Sequence, residues 1–292
     1  MLYINTCFVA KLLVFAMNTL PSEICDSVVS TIDDLNHFRD LVPKLTDHNC
    51  EIWKAVIEDH VSARREDIRI SFEANNDFNL ADLKKIKKES LRISAIDWYG
   101  ESFSAAQIEV LAFIKERGLG PRSTVSSLGV GNENANPTSE DRERFAECLK
   151  DVPFRSIDLY YPYEAVIRHQ AKSQSLRKLF LLGSEWSKDV QPVLEEIMLR
   201  PTFECGNICE SFVFGKDFLE KLFDVPCLTP KGKFFDIYID LETFNGFCDF
   251  RPNLQVEKAE KKVIWRRGDG VQVTMELSSY GCTWFDFSKE TV

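Results

Sequence analysis

Histidine is scarce, at four in 292 residues, which leaves little room for metal or acid-base chemistry built on imidazole. Basic residues fall short of acidic ones, 36 against 46, for a net charge of −10 and a pI near 5.1. That balance argues against the basic footprint of a DNA or RNA binder, so no nucleic-acid partner is expected. Apolar runs are short as well. Lys11 divides the apolar start "MLYINTCFVAKLLVFA" into pieces too short to span a bilayer, and it stands where a secretory signal needs an unbroken centre. No membrane partner is expected, and residues 1–16 are read as an extension outside the fold.

Cysteine is not scarce, but its nine positions are scattered and odd in number, and most sit in apolar patterns like small buried hydrophobes. A reducing, cytoplasmic or nuclear setting follows. Cys205 and Cys209 are the closest pair, with no second pair at zinc-site spacing and no histidine beside them, so no metal site is expected. Gly129 and Gly131 in "LGVGNENANPTSEDRERF" do not abut the helix start as a phosphate loop requires, and no lysine or third glycine joins them. They mark a loop running into an N-cap at Thr138 or Ser139. Acidic pairs such as Asp33/Asp34 and Glu195/Glu196 suit solvated helix faces. His169 falls near a predicted helix end, without a nucleophile in an elbow setting. No catalytic residue, cofactor or enzymatic activity is expected.

What the chain does contain is 44% hydrophobic residues, enough for a sizeable core, arranged in two rhythms. From Leu20 the apolar positions Leu20, Ile24, Val28, Val29 and Ile32 recur at helical spacing, with Pro21 where a first turn tolerates it. Leu35, Phe38, Leu41 and Val42 make a second helical piece before Pro43, and Ile52, Trp53, Val56 and Ile57 a third. Residues 17–60 thus form a short helical module, with nine acids against three bases. The order "LPSEICDSVVSTIDDLNHFRDLVPKL…W" resembles the F-box. That resemblance implies docking on a Skp1-type adaptor protein of a cullin ubiquitin ligase through Leu20, Pro21, Ile24 and Val28. The same stripe is also compatible with packing against the protein's own core, near Ile68, Ile70 and Phe72.

Behind it a frame of six residues, apolar at the first, fourth and sixth, recurs as "ISAIDW", "VSSLGV", "FRSIDL", "LRKLFL", "CESFVF" and "FFDIYI", starting at Ile93, Val125, Phe154, Leu176, Cys209 and Phe234. Helical patterns fall between these frames at residues 103–117, 138–150, 163–171, 189–199 and 217–223, so each unit is one strand and one helix. Stacked units of this kind make a parallel sheet with helices on one side. The frames resemble a degenerate leucine-rich repeat. They lack its ladder asparagine, since the equivalent slots hold Glu101, Glu133, Pro162, Ser184, Asp217 and Glu242. F-box module plus divergent repeat resembles the nematode-expanded F-box and F-box-associated families.

The expected architecture is therefore α/β: an apolar extension (1–16), a helical F-box-like module (17–60), an irregular βα, leucine-rich-repeat-like solenoid (61–260) and a C-terminal β-hairpin cap (261–292). The cap rests on the Gly-Asp-Gly turn between residues 263–267 and 271–277, with 283–287 as a further strand and Ile264, Trp265, Met275, Trp284 and Phe285 as capping bulk. Alternation points Ile96/Trp98, Leu128/Val130, Ile157/Leu159, Leu179/Leu181, Phe212/Phe214 and Ile237/Ile239 inward. Tyr99, Tyr160, Phe180 and Tyr238 then share an outer face with Asp97, Asp158 and Asp240, a composition suited to binding an unknown target protein. Loops or the tail would otherwise cover that face, with Phe180 and Leu182 buried first. Two function classes remain open, a substrate-receptor adaptor of a ubiquitin ligase and a standalone repeat scaffold.

Overall fold

The computed structural model describes residues 66–72, 84–85, 91–99, 105–115, 125–131, 137–227, 232–278 and 282–289. The extension 1–16 and the F-box-like segment 17–60, with Leu20, Pro21, Ile24 and Val28, lie outside the described residues.

Eleven described strands form one mixed sheet. β1 (Glu66–Phe72), β2 (Leu91–Trp98), β3 (Val125–Val130), β4 (Phe154–Leu159), β5 (Lys178–Leu181), β6 (Cys205–Ile208) and β7 (Lys233–Tyr238) lie side by side in chain order, all parallel. The helices between them are α1 (Ala105–Phe113), α2 (Ser139–Leu149), α3 (Glu164–Gln170), α4 (Gln191–Met198) and α5 (Lys216–Asp224), and α6 (Leu241–Cys248) follows β7. The first five fall on the helical patterns of the sequence. Thr138 caps α2 by accepting from the Asp141 amide at 3.2 Å, and Asp240 caps α6 by accepting from the Thr243 amide at 2.6 Å. A proline in the first turn of α4 removes only an amide that has no intrahelical partner.

Each of α1 to α6 buries its apolar stripe in a single core against one face of the sheet. In register across the strands that face carries Ile96, Leu128, Ile157, Leu179, Gly206 and Phe235, and beside them Trp98, Val130, Leu159, Leu181 and Ile208. Each such aliphatic or aromatic side chain contributes roughly 1.5–3 kcal/mol through burial. The rings of Trp98, Phe145 and Tyr163 meet at centroid distances of 5.5–6.1 Å and join α2 and α3 to β2. Gln170, at the end of α3, accepts from the Phe154 amide at 3.2 Å and donates to the Val152 carbonyl at 2.7 Å, satisfying backbone groups where β4 begins.

The fifth frame is displaced from its expected strand. β6 is Cys205–Ile208, whereas residues 209–214 form a turn with one isolated bridge from Val213 to Tyr238. Phe212 and Phe214 are buried as expected, but by the rings of Trp186 and Phe218, at 6.3 and 4.8 Å, and not as strand residues.

The tail is more than a hairpin cap. β8 (Gln255–Ala259), β9 (Lys262–Arg266), β10 (Val271–Leu277) and β11 (Cys282–Lys289) are antiparallel, and β11 pairs with β7, so the tail extends the same sheet. The expected boundary at 260/261 falls in the turn between paired strands β8 and β9. Trp265, Met275 and Phe285 are buried, but Ile264 is only half-buried and Trp284 is 42% exposed. With Phe285 opposite Phe235 on the core face, alternation sends Trp284 to the other side. Arg267 ties the tail to α5, donating to the carbonyls of Phe223 and Val225.

Candidate functional site

The sheet face opposite the helices carries a continuous row of paired residues from β2 to β9: Asp97, Gly129, Asp158, Phe180, Asn207, Asp236, Trp284, Glu276 and Lys262. Four of the nine are acidic, and Lys262 forms an ion pair with Glu276 at 3.4 Å at the far end. Toward β2 the row opens into a cavity of about 440 Å³. Asp97 and Tyr99 line it from β2 and its end, Gly129 from β3, Asp158 and Tyr160 from β4 and its end, and Phe180 from β5, with the hydroxyl-bearing Ser127 and Ser156 beside them.

Gly129 makes the cavity possible. A Cβ there would lie 2.8 Å from Asp97 Oδ1, so the missing side chain lets the Asp97 carboxylate reach across β3. Asp97 is only 5% exposed. Oδ1 of Asp158 is buried with no hydrogen-bond partner, and burial pushes the Asp158 carboxyl above its ordinary range. Asp236 repeats this further along the row: Oδ1 is buried and without a partner, and burial raises its carboxyl against the opposing hydrogen bonds of the Cys282 and Trp284 side chains. The Asp158 and Asp236 carboxylates have lost water without gaining a full set of donors.

Five of the expected target-binding residues, Asp97, Tyr99, Asp158, Tyr160 and Phe180, line this one cavity. Phe180 and Leu182 are half-buried. Tyr238 does not line it. The displacement of β6 shifts the register of β7, so Asp236 takes the row position expected for Tyr238, which pairs instead with Cys282 at the start of β11. Asp240 leaves the face to cap α6. The sequence alone does not single out Asp236, and it reads Phe234 as the start of a frame and Trp284 as capping bulk rather than as residues of this face. The two aromatics are 41% and 42% exposed and stand on this face. Strict alternation from Phe285 was the signal for Trp284.

The cavity offers carboxylate and hydroxyl oxygens together with aromatic faces. Among the described residues no group of three or more His, Cys, Asp or Glu could hold a metal ion, and no helix is long and apolar enough to cross a membrane. The described cysteines form no disulfide with one another. Compared with family models, curated proteins and solved structures, the chain matches none.

Proposed function

We propose that the chain is a target-binding adaptor without chemistry of its own, which presents the helix-free face of its sheet to a target protein. One observation carries this reading. Asp97, Tyr99, Asp158, Tyr160 and Phe180 converge on a single cavity of about 440 Å³ on that face, which also carries exposed Phe234 and Trp284 further along. Aromatic bulk with a polar rim is the composition that protein interfaces favour. The parallel strands in chain order, with helices on one side, support an irregular leucine-rich-repeat-like solenoid as the form of this domain.

The link to a ubiquitin ligase rests on the F-box-like order of residues 17–60. In this proposal Leu20, Pro21, Ile24 and Val28 dock on a Skp1-type adaptor protein in the cytoplasm or nucleus. The test is capture with the full chain and with the double variant Ile24→Asp/Val28→Asp, identifying partners by mass spectrometry. A Skp1-type protein is expected with the wild type and lost with the variant, whose circular dichroism stays unchanged. Burial of two such side chains is worth about 3–6 kcal/mol, enough to abolish capture. If the variant unfolds, the two residues belong to the protein's own core and the standalone scaffold replaces the ligase adaptor.

A further inference from the structure

We propose that the cavity beside Asp97 and Asp158 receives the guanidinium group of an arginine from an extended segment of the target, an inference that rests on the target-binding reading above. Charge complementarity is the first argument. The described lining residues include two carboxylates and no basic side chain, so an anionic occupant would be repelled and an apolar one would bury both carboxylates against carbon. Asp158 Oδ1, already out of solvent and without a donor, is relieved by an N–H. Lys178, exposed in the neighbouring row of the same face, does not line the cavity.

Shape and surface select among cations. Tyr99, Tyr160 and Phe180 give the cavity three aromatic rings. A planar, weakly hydrated guanidinium stacks on such rings while its fork of donors reaches carboxylate and hydroxyl oxygens, here those of Asp97, Asp158, Ser127 and Ser156. An ammonium is more strongly hydrated and has no plane to stack. The face continues past the cavity to Asp236, Phe234 and Trp284, which gives a polypeptide more to contact than a free small cation could cover.

The test uses the full chain labelled with 3-fluorotyrosine, with the fluorine resonances of Tyr99 and Tyr160 assigned from their Tyr→Phe variants. The probes are capped glycine-X-glycine tripeptides in which X is arginine, lysine or citrulline. The arginine peptide is expected to shift both resonances saturably, and the neutral citrulline peptide of the same shape to bind at least about tenfold more weakly. Asp158→Asn is expected to weaken arginine binding by a similar factor without lowering the melting temperature, and Phe180→Ala to weaken it as well. Equal binding of arginine and citrulline, or no shift at Tyr99 and Tyr160, overturns the proposal. Equal binding of lysine overturns the assignment to arginine. If the arginine peptide binds while no Skp1-type protein is captured, the ligase link fails and the cavity assignment stands; capture without peptide binding has the opposite meaning.

Discussion

Lys233 is 2% exposed at the start of β7, and its Nζ donates to the Arg200 carbonyl at 2.8 Å. Burial pulls its pKa down to about 8; Arg267 adds to the shift and Cys227 opposes it. An unfolded lysine titrates near 10.4. Between these values the unfolded chain holds a proton that the folded one has released, so stability rises with pH. Below pH 8 both states are charged, and the folded state carries the full cost of a buried ammonium. Comparison of wild type with Lys233→Met by urea unfolding should therefore show a difference that moves toward the wild type from pH 8 to about pH 10.4, by at most about 3 kcal/mol. A flat or opposite trend would mean that Lys233 is solvated in the folded protein. The open face carries the same kind of cost in reverse charge, since Asp158 and Asp236 are desolvated carboxylates.

At the level of elements, the decisive junction is where parallel pairing gives way to antiparallel pairing, between β7 and β11. Gly232 precedes β7 at φ +84°, and a Cβ there would fall 2.0 Å from the Phe287 carbonyl oxygen. Gly232→Ala combines a left-handed backbone, costing about 1–2 kcal/mol, with a clash that only strand separation relieves. We expect a loss of at least about 2 kcal/mol and early amide exchange in β11, read by denaturant melts and hydrogen exchange. A variant with wild-type stability would show that the two strands are not held at this point.

The same element scale explains what the sequence could reveal. Frames starting at Ile93, Val125, Phe154 and Leu176 lead to β2–β5 because their last two apolar residues are bulky and alternate, and that alternation also places Asp97, Asp158 and Phe180 together. β6 hides because its inward positions are Gly206 and Ile208. A Cβ at Gly206 would lie 3.3 Å from the Phe235 ring and 3.5 Å from that of Phe203, so the glycine lets these two rings pack close over the strand. α6 hides because Asn245 and Gly246 interrupt its pattern, whereas Phe244 and Phe247 anchor it in the core. Asp236 and Trp284 meet only through the register of β7 on β11, a long-range pairing that no local pattern encodes.

Across the whole molecule the question is whether the antiparallel tail is an appendage or part of one folding unit. The core favours one unit. Phe247 of α6 meets Trp265 of β9 and Phe285 of β11 at centroid distances of 5.5 and 6.1 Å, and Phe235 of β7 meets Phe287 at 5.9 Å. Phe223 of α5 packs edge-on to Trp265 at 5.6 Å, and the Trp265 indole donates to the Phe250 carbonyl at 2.9 Å. A chain truncated after Leu254 would strip these partners from Phe223, Phe235 and Phe247 and turn β7 into a bare edge. Losing contacts at several buried aromatics at once, each worth about 3–5 kcal/mol when a site is emptied, is comparable to the roughly 5–15 kcal/mol that holds a typical domain together. The truncated chain should therefore aggregate or lose its cooperative thermal transition, whereas the full chain melts the described sheet in one step. A truncated chain that melts cooperatively within a few degrees of the full one would make the tail a separable cap and place the domain boundary before β8.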